Sequence, residues 1–168
     1  MVELKEGARM SDFTTCLTVF NELASKNFVN TDFDQKLLMQ KYAYFMNECS
    51  VPCGDYGFFW NSRGPYSQKL QNEMFSFDNE SYNYIELKQK AYDAFRKIRR
   101  LFVDMPDGFS NSSWMELLAS IHFLKKYVYS CFDDDFVFSE LCRLKPQFDQ
   151  KKYFTQAHES LLGEGFLN

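Results

Sequence analysis

The longest regular pattern in the chain is a stripe in which Tyr84, Ala91, Phe95, Ile98 and Phe102 follow at steps of seven, four, three and four residues. Those intervals hold apolar side chains on one face of an α-helix, so they commit much of the chain to helix packing. Pro106-Asp107-Gly108 ends the stripe, because proline lacks the amide and glycine the conformational bias that a continuing helix needs. The same spacing recurs on both sides of it. Phe13, Leu17, Phe20 and Leu23 predict a helix over about 12–25 behind Ser11 and Asp12, which can cap its first turn. Thr31 and Asp32 precede a second stripe of Phe33, Leu37, Leu38, Lys41, Tyr42 and Phe45, expected to end near Glu48 before Pro52 and Gly54.

Later in the chain, Trp114, Leu117, Leu118, Ile121, Leu124 and Val128 predict a strongly amphipathic helix, with Ser113 and Glu116 in capping-box spacing. Asp133-Asp134-Asp135 favours the positive end of a helix carrying Phe136, Val137, Leu141 and Leu144, and Asp149 can open a last one through Tyr153, Phe154, Ala157, Leu161 and Leu162, closed by Gly163. The period changes once. Between Asp55 and Trp60 the side chains of Tyr56, Phe58 and Trp60 alternate with Gly57 and Phe59, which predicts a short strand near 55–60. Asn61-Ser62-Arg63-Gly64-Pro65 reads as a turn, with Pro65 at the first turn of a helix running to about Phe75.

The expectation is a mainly α protein with a small β element: a polar segment over 1–10, then one compact helical domain over 11–168. At 168 residues, with 19 Phe, 10 Tyr and 2 Trp, the chain has ample material for a core and is unlike a disordered or low-complexity polymer. No apolar run approaches the ~18 residues needed to cross a bilayer, and the charged start is unlike a signal peptide, so a cytoplasmic protein is expected. Five scattered cysteines fit reduced thiols better than a disulfide framework.

Catalytic chemistry finds little support in the residues. There is no phosphate-binding glycine loop, no GxSxG elbow and no HExxH helix. Cys49 and Cys53 form one close thiol pair, where a structural zinc site shows two close ligand pairs, so neither they nor His122 and His158 are read as ligands. His122, on an apolar seam, reads as a core residue and His158 as solvent-facing; the acidic triplet reads as a helix cap. No cofactor or metal is expected, and the chain is read as not being an enzyme.

Two surfaces stand out instead. Net charge is −4, with 7 basic against 11 acidic residues over 1–84 and 12 against 12 over 85–168, so any nucleic-acid footprint has to be local. Lys90, Lys97 and Arg100 on the long helix are the candidates for it. The aromatic turn is the other: Trp60, Arg63, Tyr66 and Ser67 combine rings and a cation beside a helix N-terminus, which suits protein recognition.

Several motifs also occur together in order. Gln40-Lys41-x-x-Tyr44, then Tyr56-x-Phe58, then Gly64-Pro65-Tyr66-Ser67-x-x-Leu70, then Met115 to Leu124, then Lys145-Pro146-x-Phe148 with Ala157 and Leu161 resemble the YwgA-like family of bacterial proteins. The resemblance spans about residues 38–162. The position before Gly64, often aromatic in that family, is Arg63 here. The resemblance implies a helical, partly winged-helix-like fold without catalytic activity. It is also similar in outline to antitoxin-type domains of the Panacea or SocA-like group, which implies a protein partner and a link to phage or host defence. A non-catalytic interaction or regulatory module is therefore the leading expectation, with a nucleic-acid-binding regulator second and an enzyme last.

Overall fold

A computed structural model describes residues 12–51, 53–78 and 85–168. The described residues include seven α-helices and one antiparallel hairpin: α1 (Asp12–Ala24), α2 (Phe33–Glu48), β1 (Phe59–Asn61), β2 (Gly64–Tyr66), α3 (Gln68–Ser76), α4 (Gln89–Arg100), α5 (Asn111–Phe123), α6 (Asp134–Leu144) and α7 (Lys151–Gly163). A π-helical turn, Leu124–Val128, extends α5, and a 3-10 turn, Pro146–Phe148, follows α6. The expected mainly helical domain with a small β element is what is observed. Ser11, Pro52 and Tyr84, and the polar segment 1–10, lie outside the described residues.

Two helices form the centre. On α2 the side chains from Leu37 to Met46 are all buried, and on α5 those from Trp114 to His122 are. A helix covered on every side has to sit inside, so α5 is not the strongly amphipathic helix expected of it, and Val128, the last residue of that pattern, is exposed. α1, α3 and α4 pack against α2, α6 and α7 pack against α5, and the hairpin bridges both central helices through β2. Because α2 and α5 are covered all round, their polar residues are buried as well: Gln40 and Lys41 on one, Glu116, Ser120 and His122 on the other. A buried polar group needs a partner inside the protein, and those partners shape the region around the hairpin.

α1, α2 and α6 span close to the expected residues, with Asp32 and Asp133 accepting the capping bonds from Gln35 N and Phe136 N, although Phe33, the first residue of the expected α2 stripe, is exposed. Other boundaries differ for local reasons. Pro65 lies on β2 rather than in the first turn of a helix. The Gln40 amide pins Ser67 in an extended conformation, donating to Ser67 O at 2.9 Å and accepting from Ser67 N at 2.8 Å, and the Ser67 hydroxyl caps α3 at Leu70 N. The strand is shorter than expected, because Gly57 at φ +55° turns the chain before Phe59. Ser110, not Ser113, caps α5, with Ser113 supplying the return bond, while Glu116 is buried. Gln150 rather than Asp149 precedes α7, and the left-handed residue beyond it is Gly165, not Gly163.

Candidate hairpin-turn recognition site

In the hairpin Phe59 pairs with Tyr66, Trp60 with Pro65 and Asn61 with Gly64, leaving Ser62 and Arg63 at the tip. Gly64 takes the left-handed conformation, φ +83°, and a Cβ there would stand 2.7 Å from Ser120 Oγ. Glycine is required on both counts. The tip is fastened from below by two buried lysines. Lys41 Nζ, from α2, donates to Pro65 O at 2.6 Å; Lys145 Nζ, from the end of α6, donates to Ser62 O at 2.7 Å and to Glu116 Oε1 at 2.5 Å. Glu116 Oε2 also faces Arg63 Nη1 at 3.6 Å. The Lys145 ammonium lies 5.6 Å from the centre of the Trp60 ring and 5.9 Å from that of Phe148, which adds cation–π attraction to the ion pair.

Burial sets the charge of this group. Loss of solvent pushes the Lys41 amine down to about 7, opposed by Glu116 and reinforced by Lys145 and Arg63. Lys145 is also lowered, mainly by burial, against the pull of Glu116. Ser120 Oγ is buried and has no hydrogen-bond partner among the described residues.

Of the four turn residues singled out from sequence, three reach the surface. Arg63 has 56% of its side chain exposed, and its guanidinium lies 5.5 Å from the ring centre of the exposed Phe33. Tyr66 is half-buried, its ring edge-on to Phe59 at 5.7 Å and its hydroxyl donating to Gln68 Oε1. Trp60 is half-buried against Phe123 at 5.9 Å. Ser67 is different: it is fully buried, and its hydroxyl donates to Tyr56 O at 2.7 Å while capping α3. Beside the tip, a cleft of about 260 Å³ runs between α2 and the hairpin, lined among others by Phe33, Lys36, Lys41, Arg63 and Tyr66.

Of the three candidates on α4, two have partners within the protein. Arg100 Nε donates to Glu164 Oε2 at 2.7 Å, Lys97 Nζ lies 5.2 Å from the ring centre of Phe166, and Lys90 is exposed. Lys90 and Lys97 line a second cavity, of about 290 Å³, with Glu48, Cys49, His122 and Lys126. A thiol, an imidazole and a carboxylate thus share one cavity, and the imidazole and the carboxylate are each hydrogen-bonded within the fold. Tyr44 Oη donates to His122 Nδ1 at 2.6 Å, which leaves the proton on Nε2 to be donated to Phe166 O at 3.1 Å. With both nitrogens engaged, and burial pushing the imidazole down to about 4 against the opposing charge of Glu48, His122 is a neutral clamp on the segment after α7. Burial pushes the Cys49 thiol up, away from the thiolate a nucleophile needs. Glu48 accepts from Lys126 and from Tyr127 Oη. The other thiol of the pair, Cys53 Sγ, donates to Asn47 Oδ1 at 3.2 Å. His158 is not solvent-facing: its Nδ1 lies 3.3 Å from Asp134 Oδ2 with 13% of the side chain exposed.

No family model, curated protein or solved structure matches the chain. The residues that organise the turn, Lys41, Glu116 and Lys145, were not among those selected from sequence as functional. Lys41 carried a signal all the same, a lone cation inside the apolar stripe of α2. Glu116 has the spacing of a helix cap and Lys145 that of a loop residue, and only the fold brings the three together.

Proposed function

We propose that the protein is a non-catalytic, cytoplasmic interaction module, antitoxin-like in mode of action, that docks a partner protein on the face made by the hairpin tip and the exposed end of α2. The observation that carries this reading is the double lysine fastening of the tip: Lys41 holds Pro65 O and Lys145 holds Ser62 O. A turn so fixed loses little conformational entropy on docking, which is the cost that usually erodes affinity. It displays Arg63, Tyr66 and the exposed Phe59 and Phe33, residue types that concentrate binding energy at protein interfaces. Capture from a native lysate is the test. The unaltered protein is expected to retain a discrete partner that the R63A/Y66A double variant loses; undiminished capture by that variant rejects the surface.

A second reading keeps a specific observation. Lys90, Arg96 and Arg99 are exposed along α4, and a winged-helix-like regulator would lay such a helix against phosphates. Affinity for duplex DNA or RNA that falls steeply with salt, and falls further in a K90A/R96A/R99A variant, would support it. No binding at low salt removes it.

A further inference from the structure

Around the hairpin tip one carboxylate, Glu116, stands among three bases and pairs with two of them. Glu116 Oε1 accepts from Lys145, and Glu116 Oε2 faces Arg63. Lys41 Nζ, buried among them, donates to Pro65 O, and among the described residues no carboxylate lies within ion-pair distance of it. Lys36, one turn earlier on α2, adds another cation at the rim of the same cleft. None of the described residues lining the cleft is acidic. In a chain whose overall charge is −4, this is a local shortage of negative charge held in a low-dielectric setting, where such imbalance is costly.

We propose that the cleft between α2 and the hairpin receives a glutamate or aspartate side chain of the partner protein, whose carboxylate completes the charge of the Lys41, Arg63, Glu116 and Lys145 network. This rests on the reading of the hairpin face as a protein-recognition surface. The cleft, at about 260 Å³, is smaller than the roughly 300–1,000 Å³ of sites that enclose cofactors and drug-sized ligands. It fits one or two anchoring side chains. Arg63 offers the planar fork that grips a carboxylate through two bonds, and the exposed Phe33 ring under it gives the aliphatic part of the anchor an apolar wall.

Proton linkage follows from the same geometry. The charged groups facing Lys41 are Glu116 from α5, Lys145 from the end of α6 and Arg63 from the turn, and with burial they leave its amine at about 7. A carboxylate entering the cleft favours the ammonium, so binding takes up a proton and weakens as pH rises through that value.

The probe is a capped hexapeptide with two glutamates flanking a phenylalanine, titrated into the full-length 15N-labelled protein, with glutamine and phosphoserine counterparts as controls. Amide shifts are expected at Phe33, Lys36, Arg63 and Tyr66. Binding should be about tenfold weaker for the glutamine peptide, and about fivefold weaker at about pH 8.5 than at about pH 6.5. The variants R63Q, at an exposed position, and K36Q, at a half-buried one on the rim of the cleft, should weaken the glutamate peptide without moving the thermal midpoint. Equal binding of the glutamine peptide, or no shift in the cleft at millimolar peptide, overturns the inference. Tighter binding of the phosphoserine peptide overturns the carboxylate as occupant. The peptide is also added to the lysate capture. A partner that depends on Arg63 and Tyr66 but is not displaced leaves the recognition face standing and the carboxylate anchor refuted; a cleft that binds the peptide while no such partner exists refutes the recognition face.

Discussion

Single atoms set the shape of the hairpin. Gly64 is there because a Cβ would meet Ser120 Oγ and because its φ is positive, so G64A is expected to cost about 2–4 kcal/mol in urea unfolding. Part of that cost is steric and part backbone. S120A removes the obstructing oxygen, which has no partner to lose among the described residues, so it should be near neutral alone and recover about 1 kcal/mol in the G64A background. His122 gives a pH signature. Its folded pKa of about 4 lies below the ordinary 6.5, so between those values the unfolded chain binds the extra proton. The stability it contributes is whole above about pH 6.5 and is lost as pH falls toward 4, by about 3 kcal/mol. H122F should flatten that limb of the stability curve. Lys41 acts in the opposite pH range: its amine, lowered from 10.5 to about 7, makes stability rise with pH across that interval, and K41M should abolish the rise.

At the scale of elements, the helices were legible in sequence where apolar residues recur at helical spacing and a capping side chain stands at the boundary. α2 and α6 begin at the residues that their caps, Asp32 and Asp133, dictate. The start of α3 was not legible, because Gly64-Pro65 carries the signal of a helix start while the actual determinant is Gln40, 27 residues away from Ser67 in sequence. Ser67 therefore does the work first assigned to Pro65. S67A loses the cap on Leu70 N and the bond to Tyr56 O, and is expected to cost about 2 kcal/mol, against about 1 kcal/mol for S110A at the more exposed cap of α5. Equal costs for the two, read from urea midpoints, would contradict the role given to Ser67. The site was half legible for a related reason. Arg63 and Tyr66 announce themselves as a cation and a ring at a turn, whereas Lys41, Glu116 and Lys145 acquire their roles from contacts between α2, α5 and the chain after α6.

For the whole molecule, the two fully covered helices α2 and α5 force polar side chains inward, and β2 supplies the carbonyl that satisfies one of them, Lys41, through Pro65 O. Fold and the proposed recognition face thus share one set of contacts. E116Q breaks the buried pair with Lys145 and is expected to destabilise the protein by about 3–5 kcal/mol. It should also loosen the tip, seen as faster amide exchange at Asn61 to Tyr66, and an unchanged exchange rate there would separate the network from the turn. Whether the hairpin face meets a partner protein can be read by photo-crosslinking in cells. A benzophenone amino acid replaces Phe59 or Tyr66 at the hairpin, or, as a control, the exposed Val103 beyond α4. One discrete protein adduct is expected from each hairpin position and none from position 103; an adduct from position 103 with none from the hairpin would overturn the partner-binding reading.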